Sequence, residues 1–161
     1  MLHRWHVRKC QKGGAGVGPT KRGKGTKIMV IANKDSLPVA ISVGSASPSE
    51  VTLVETTIDA RFTKTNPTLL IGDKAYDSDP LDQRLKEKYD IDMVSPHKRN
   101  RVKTPTQDGR QLRRYRKRWK IERFNAWIQN FRRVTTRWEY KLANYVGFVH
   151  LACILILLRS M

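Results

Sequence analysis

The chain has 161 residues, with 32 lysines and arginines against 14 aspartates and glutamates, and its formal net charge is +18. This length predicts one domain with a hydrophobic core. A positive charge of this size indicates a polyanionic partner, in the first place nucleic acid. The apolar run 146–158 is shorter than the roughly 20 residues of a membrane span, so we expect a core helix and no membrane partner.

The two cysteines, Cys10 and Cys153, lie far apart in the sequence, and we interpret both as free thiols of a reducing compartment. The first ten residues mix histidine, arginine and tryptophan and lack the apolar stretch of a secretory signal. These features predict a cytoplasmic protein.

Residues 1–26 form a basic, glycine-rich lead segment. The glycines and cations of residues 13–25 predict a flexible loop on or near a backbone phosphate, and Lys21, Lys24 and Lys27 are expected DNA contacts. Gly25 follows Lys24 where a phosphate-binding P-loop has serine or threonine, so we do not expect a nucleotide site of that type.

Strands and helices then alternate. Apolar, β-branched runs at 27–32 and 37–43 flank the polar turn 33–36 and predict an antiparallel hairpin. Ser47 as N-cap, Pro48 at the first position and Glu50 predict a helix that continues to about Ala60. Buried-type strands are expected at 68–72 and 91–95.

Asp73 follows directly on the strand 68–72, at the edge of an α/β sheet where ligands bind. Asp79 and Asp82 have simpler interpretations, as N-cap and first-turn residue of the next helix. Residues 97–111 form a basic loop that we expect to lie over DNA, with Lys98, Arg99 and Arg101 as contacts. His97 is interpreted as a polar loop residue, and a role as ligand or general base stays open.

A helix predicted over 112–133 carries one acid, Glu122, among many cations. Helical spacing places Tyr115, Arg118, Glu122 and Gln129 on one face, and an apolar face at 121, 124, 128 and 131 is expected to pack on the sheet. A carboxylate among cations suits a divalent metal against a phosphate backbone. The alternative is an ordinary Arg118–Glu122 ion pair worth roughly 0.3–0.5 kcal/mol.

The expected DNA contacts in this region are Arg116, Lys120, Arg132 and Arg133. Trp119, Trp127 and Trp138 are expected to pack in the protein, with stacking on bases as the alternative.

The stretches 70–78 and 116–127, supported by 22–27, 37–40, 46–48 and 106–110, resemble bacterial insertion-sequence transposases of the DDE type. The resemblance implies a ribonuclease-H-like α/β fold, a mixed sheet flanked by helices, and two aspartates and a glutamate that hold two Mg²⁺ or Mn²⁺ ions. Asp73 matches the second aspartate and Glu122 the glutamate, and both would be catalytic metal ligands. Tyr115 and Arg118 match supporting residues, whereas Gln129 stands where the family has a basic residue.

The front of the chain departs from the family pattern, because no aspartate or glutamate precedes Asp35. The family's first catalytic aspartate belongs to a strand shortly before a Lys-Gly-Gly loop, which is 12–14 here. The chain therefore resembles the carboxyl-terminal part of a transposase, lacking all or part of the first core strand and the N-terminal DNA-end-binding domain. A truncated gene product, the downstream frame of a two-frame gene and a mis-called start remain open.

The resemblance implies DNA cleavage and strand transfer at inverted-repeat ends in the bacterial cytoplasm. The expected partners are transposon ends and target DNA, within a homo-oligomer or a complex with an upstream-frame product. With two of three carboxylates, we expect weak activity from this chain alone, and rescue by an aspartate-bearing first strand. The alternative is a catalytically dead, basic DNA-binding remnant that interferes with full-length transposase; binding to RNA is a weaker third hypothesis.

Overall fold

A computed structural model describes residues 2–21, 23–106 and 112–161. Its described strands form one six-stranded mixed sheet. β3 pairs antiparallel with β1, β2 and β4, while β5 lies parallel between β1 and β6. The strands are β1 (Leu2–Lys9), β2 (Gly18–Thr20), β3 (Gly23–Ala32), β4 (Pro38–Ser45), β5 (Leu69–Ile71) and β6 (Asp92–Val94).

Helices cover both faces of the sheet, which makes a mixed α/β fold. The α-helices are α1 (Glu50–Asp59), α2 (Asp79–Tyr89), α3 (Trp119–Gln129), α4 (Arg132–Thr135) and α5 (Leu142–Leu158). Two 3₁₀-helices, η1 (Lys74–Tyr76) and η2 (Arg113–Arg118), precede α2 and α3.

Two hydrophobic cores lie on opposite faces of the sheet, because successive strand residues point to opposite sides. On one face Ile28, Val30 and Ile71 pack with side chains of α3, α4 and α5. On the other face Met29, Ile31 and Leu70 pack with side chains of α1 and α2. β5 thus contributes to both cores immediately before the chain reaches Asp73.

The predicted hairpin is confirmed as β3 and β4, which pair antiparallel. The helix predicted from Ser47 begins later, at Glu50, with Ser49 in the N-cap position. The reason is local: the Ser47 amide donates to Ser45 Oγ, and the two hydroxyls are 3.3 Å apart. Ser47 is therefore part of the turn that precedes the helix.

The opening residues, which the sequence predicts to lie in or just after the first core strand, form a strand. Residues 2–9 form β1, an eight-residue strand between β3 and β5. Its sequence, LHRWHVRK, is too polar to be recognised as an inner strand, and its Arg8 is buried at 7% exposure. Backbone pairing with both neighbours defines this strand.

The single helix predicted over 112–133 is divided into η2, α3 and α4. The amides of Asn130 and Phe131 bond to the carbonyls of Trp127 and Ile128, three residues back, so the last turn of α3 tightens. The Thr135 hydroxyl then donates to Gln129 O, which lies at the end of α3. The predicted inward positions Ile121, Phe124 and Ile128 are buried, and Phe131 packs partly against the same core.

The apolar run near the C-terminus is confirmed as a helix, α5, whose inner side chains include Tyr145, Val149 and Ile156. Its outer side leaves Leu151, Ile154 and several other apolar side chains exposed. Among the described residues, no helix is long and apolar enough to cross a membrane. Cys10 and Cys153 are free and buried, and burial raises the pKa of the Cys153 thiol to about 12.

Candidate active site

Asp73 lies at the carboxyl end of β5 in a fixed position. Its Oδ1 accepts a hydrogen bond of 2.9 Å from the Ala75 amide, so the side chain caps η1. The preceding Gly72 allows close packing, since a Cβ there would lie 2.4 Å from Met93 Cε and 2.7 Å from Tyr76 Cδ2. This capping bond, which sequence patterns did not predict, holds one carboxylate oxygen of a half-buried acid.

Glu122 lies in the first turn of α3, on the exposed side of a helix anchored by buried Ile121 and Phe124. The preceding η2 packs against β5. The elements that lead into Asp73 and Glu122 are therefore neighbours. Tyr115 is half-buried and packs against the core that includes Ile71. Arg118 ends η2, and its side chain lies outside the part of the chain that the structure describes.

The two carboxylates suit a hard divalent cation. Mg²⁺ is commonly held by one or two carboxylates and completes its coordination with water and phosphate oxygens. No group of three or more histidine, cysteine, aspartate or glutamate side chains close enough to hold a metal occurs among the described residues. A metal held by Asp73 and Glu122 would therefore need its remaining ligands from water, substrate phosphate or a further acid.

A second acid follows Asp73 closely and binds the basic loop. Asp77, whose side chain is 5% exposed, accepts a 2.7 Å bond from the Lys98 amide and a 2.9 Å bond from Arg101 Nη1. His97 Nδ1 lies 2.8 Å from Asp77 Oδ1, and the Thr106 amide donates to His97 Nε2. Because Nε2 accepts, Nδ1 carries the proton and donates to Asp77.

This network determines the pKa of Asp77 and the role of His97. Burial alone raises the pKa of Asp77, but the bonds from the Lys98 amide and His97 outweigh burial and hold that pKa below its ordinary value. Both ring nitrogens of His97 bond within the protein, which agrees with a polar loop residue and gives no support to a ligand or general-base role. Residues 97–106 are therefore bound to the segment that follows Asp73.

Arg101 joins two acids in this network. Its Nη2 lies 2.7 Å from Asp79 Oδ1, and its Nη1 bonds to Asp77. The bond from Arg101 lowers the pKa of Asp79. The predicted N-cap role of Asp79 is wrong, because Ser78 occupies the N-cap position of α2 and Asp79 is its first residue. The side chain of Arg101 is only 11% exposed, so we do not propose it as a DNA contact.

The family model described as a transposase DDE domain matches residues 5–157. The chain belongs to the DDE transposase family. The curated relatives of this DDE domain include the protein named as the transposase for insertion sequence element IS402 of Burkholderia cepacia, which is 29% identical over 150 residues. That alignment covers 88% of this chain and 67% of the relative. Another, named for insertion sequence element IS6501 of Brucella ovis, is 39% identical over 94 residues, or 56% of this chain and 67% of the relative.

The cations predicted to contact DNA have different environments in the DDE domain. Lys27 is buried, and its Nζ bonds to Pro48 O at 2.6 Å and to Glu50 Oε1 at 2.8 Å. We therefore do not propose Lys27 as a DNA contact. Arg133 is exposed and pairs with Glu139 at 3.1 Å. Of the remaining candidates, Lys120 is half-buried. The others are exposed, namely Lys21, Lys24, Lys98, Arg99, Arg116 and Arg132.

Trp119, Trp127 and Trp138 are not fully buried in the DDE domain. Trp119 and Trp138 are 51% and 49% exposed, and Trp127 packs partly against the core. The Arg123 guanidinium lies 4.5 Å from the centre of the Trp119 ring. Exposed aromatic rings beside cations keep the stacking alternative open.

Asp82 lies in the first turn of α2, as predicted. Among the described carboxylates it is the one whose pKa is raised most. Burial first, and the nearby carboxylates of Asp79 and Asp77 second, raise the pKa of Asp82 to about 6. Its Oδ1 is buried and has no hydrogen-bond partner within the described ranges. An ionised Asp82 therefore destabilises the fold at neutral pH.

We expect Asp82→Asn to stabilise the protein at pH 7 by about 1–2 kcal/mol, after allowance for solvent screening at this half-exposed position. A folded pKa above the unfolded value of about 3.9 contributes stability that is complete below about pH 4 and is lost as the pH rises through 6. Asp77 and Asp79, whose pKa values are lowered, affect stability only below that window. Denaturant unfolding across the pH range tests this, and equal pH dependence of the two proteins between pH 4 and 7 would contradict it.

Proposed function

We propose that the chain is the catalytic part of an insertion-sequence transposase, which cuts DNA at inverted-repeat ends and joins it to target DNA with Mg²⁺ or Mn²⁺. The observation that carries the proposal is the placement of Asp73 and Glu122 on neighbouring elements of a DDE domain. The strand order β4, β3, β1, β5, β6, with β3 antiparallel to its neighbours, supports a ribonuclease-H-like arrangement. The proposed setting is the bacterial cytoplasm, with a homo-oligomer on paired ends.

The roles of the residues follow from their chemistry. Asp73 and Glu122 supply carboxylate oxygens as metal ligands, and the bond from the Ala75 amide keeps Asp73 in one orientation. Divalent ions at such a site activate water or a 3′-hydroxyl and stabilise the departing oxygen of a phosphodiester. Tyr115 and Arg118 support Glu122 in this proposal, and cations of the basic loop hold phosphate charge.

The resemblance implies three acids at this site, and in this proposal Asp73 and Glu122 supply two of them. β1 occupies the strand position beside β5, and its sequence contains neither aspartate nor glutamate. We therefore propose weak activity for the chain alone. A third carboxylate, from an aspartate-bearing first strand or an upstream-frame product, should increase the rate.

A cleavage assay tests the proposed function. The purified protein is incubated with duplex DNA that carries the ends of its own element, with Mg²⁺, Mn²⁺ or EDTA. We expect slow, end-dependent nicking with Mn²⁺ and none with EDTA. DNA binding without nicking, even after an acid-bearing first strand is supplied, would favour the non-catalytic remnant. Absence of binding to DNA at low salt would reject both.

A further inference from the structure

A basic cleft lies between the β3–β4 turn, β5 and the start of α3. Its volume is about 220 Å³, and its lining consists of Asn33, Lys34, Leu69, Ile71, Arg114, Lys117 and Lys120. Four of these residues are cations, and among the described residues that line the cleft none is acidic. We give the name basic cleft to this set of residues. Of its cations, sequence reasoning singled out only Lys120.

The conformation of η2 explains why the cations meet. In a 3₁₀-helix the side chains at positions i and i+3 are eclipsed, whereas in an α-helix they are rotated relative to each other. Arg114 and Lys117 lie three residues apart in η2, and Lys120 follows three residues later in the first turn of α3. The 3₁₀ segment therefore aligns Arg114 and Lys117 more closely than an α-helix would, in which positions i and i+3 lie on the same face but are offset.

The fourth cation, Lys34, lies in the β3–β4 turn, which hydrogen bonds hold in place. Asn33 Oδ1 accepts bonds from the amides of Asp35 and Leu37, at 2.8 and 3.0 Å, which fix the β3–β4 turn. Lys120 Nζ donates to the carbonyl oxygen of Lys34 and joins the turn to α3. The cleft is thus held together from both sides by hydrogen bonds.

Stacked like charges destabilise a helix unless an anion compensates them. Phosphate is the anion that suits this set, because arginine binds it with two parallel hydrogen bonds and lysine with a compact charge. The apolar wall of the cleft is formed by Leu69 and Ile71, and the chain reaches Asp73 two residues after Ile71. A phosphate in the cleft would therefore lie on the strand that leads to the proposed metal site.

We propose that the basic cleft binds backbone phosphates of duplex DNA and positions the duplex beside Asp73 and Glu122. The proposal rests on the proposed function, since it names the surface through which that same site holds its substrate. Phosphate contacts of this kind fix the register of the protein on DNA without reading its sequence.

The test is a triple variant, Lys34→Gln, Arg114→Gln and Lys117→Gln, which leaves Lys120 and its bond to the turn in place. The control variant, Lys64→Gln, Lys86→Gln and Lys88→Gln, removes the same number of exposed cations after α1 and on α2. Binding of a labelled duplex is measured by fluorescence anisotropy across a series of salt concentrations. Unchanged circular dichroism spectra and melting temperatures verify that both variants fold.

We expect the slope of log K against log salt concentration to fall by about 0.9 for each phosphate contact that is lost, so by about 2–3 in the triple variant. The affinity at moderate salt should fall at least about tenfold, and the control should change far less. Equal changes in both triple variants, or an unchanged slope in the cleft variant, would overturn the proposal. If the unmodified protein binds no DNA, the proposed function itself fails; if it binds and the cleft variant binds equally well, only the cleft assignment fails.

Should the triple variant misfold, Lys117→Glu and Lys88→Glu provide a matched pair of single charge reversals on exposed side chains. Lys117→Glu should weaken duplex binding by more than Lys88→Glu. Equal weakening would overturn the assignment of the cleft.

Discussion

Glu122→Gln is expected to reduce Mn²⁺-dependent nicking of end-containing DNA at least about 100-fold, because it would remove one of the two carboxylate ligands in the proposed metal site. Glutamine has nearly the same shape and keeps an acceptor oxygen, so α3 should remain folded. Glu122 is exposed, and its replacement leaves buried Ile121 and Phe124 in place. The initial rate of nicking and the affinity for the same duplex are measured side by side.

The control for this prediction is Glu87→Gln, which changes an exposed glutamate of α2. Its nicking rate should remain close to that of the unmodified protein, while DNA affinity should change little in either variant. A normal rate in Glu122→Gln, or an equal loss in both variants, would remove Glu122 from the active site.

Arg137→Met is expected to lower the free energy of unfolding by about 3–5 kcal/mol, the largest stability effect that we predict. Arg137 is fully buried, and its guanidinium donates to Thr26 Oγ1 and to the carbonyls of Ala15, Glu139 and Tyr140 at 2.8–3.0 Å. Methionine fills part of the volume but leaves these acceptors without a donor. The bonds also tie the glycine-rich loop to the segment before α5, so both should loosen together.

Unfolding in guanidinium chloride measures this change in the free energy of unfolding. Arg132→Met, at an exposed position of α4, is the matched control and should change stability by less than about 0.5 kcal/mol. Arg137→Lys should recover part of the loss, since lysine supplies fewer donors in a different geometry. If Arg137→Met lowers the free energy of unfolding by no more than the control does, the buried hydrogen bonds of Arg137 do not stabilise the fold as we expect.

Local patterns allowed the sequence to predict part of this fold. The hairpin of β3 and β4 depends on two apolar runs and a polar turn, which are neighbours in the chain. The strand before Asp73 and the inward positions of α3 likewise follow from short-range apolar spacing. The resemblance to DDE transposases, carried by the segments around Asp73 and Glu122, is confirmed by the family match.

Features that depend on tertiary contacts could not be predicted. β1 is polar in sequence, and its pairing with β3 and β5 defines it as a strand. Lys27 and Arg101 look like any other cations in a basic chain, yet their acid partners lie 23 and 22–24 positions away. The basic cleft depends on a switch from α- to 3₁₀-helical geometry, which the spacing of charges does not reveal.

Iron-mediated cleavage of the protein backbone can determine whether Asp73 and Glu122 hold the same metal, as we propose. Fe²⁺ replaces Mg²⁺ at carboxylate sites, and with ascorbate and hydrogen peroxide it cuts the polypeptide near its ligands. We predict cuts near residues 73 and 122 together, suppressed by excess Mg²⁺ and lost at both positions in either Asp73→Asn or Glu122→Gln. Cuts at only one of the two positions, or cuts that persist at the second position after the first acid is replaced, would contradict a shared metal site.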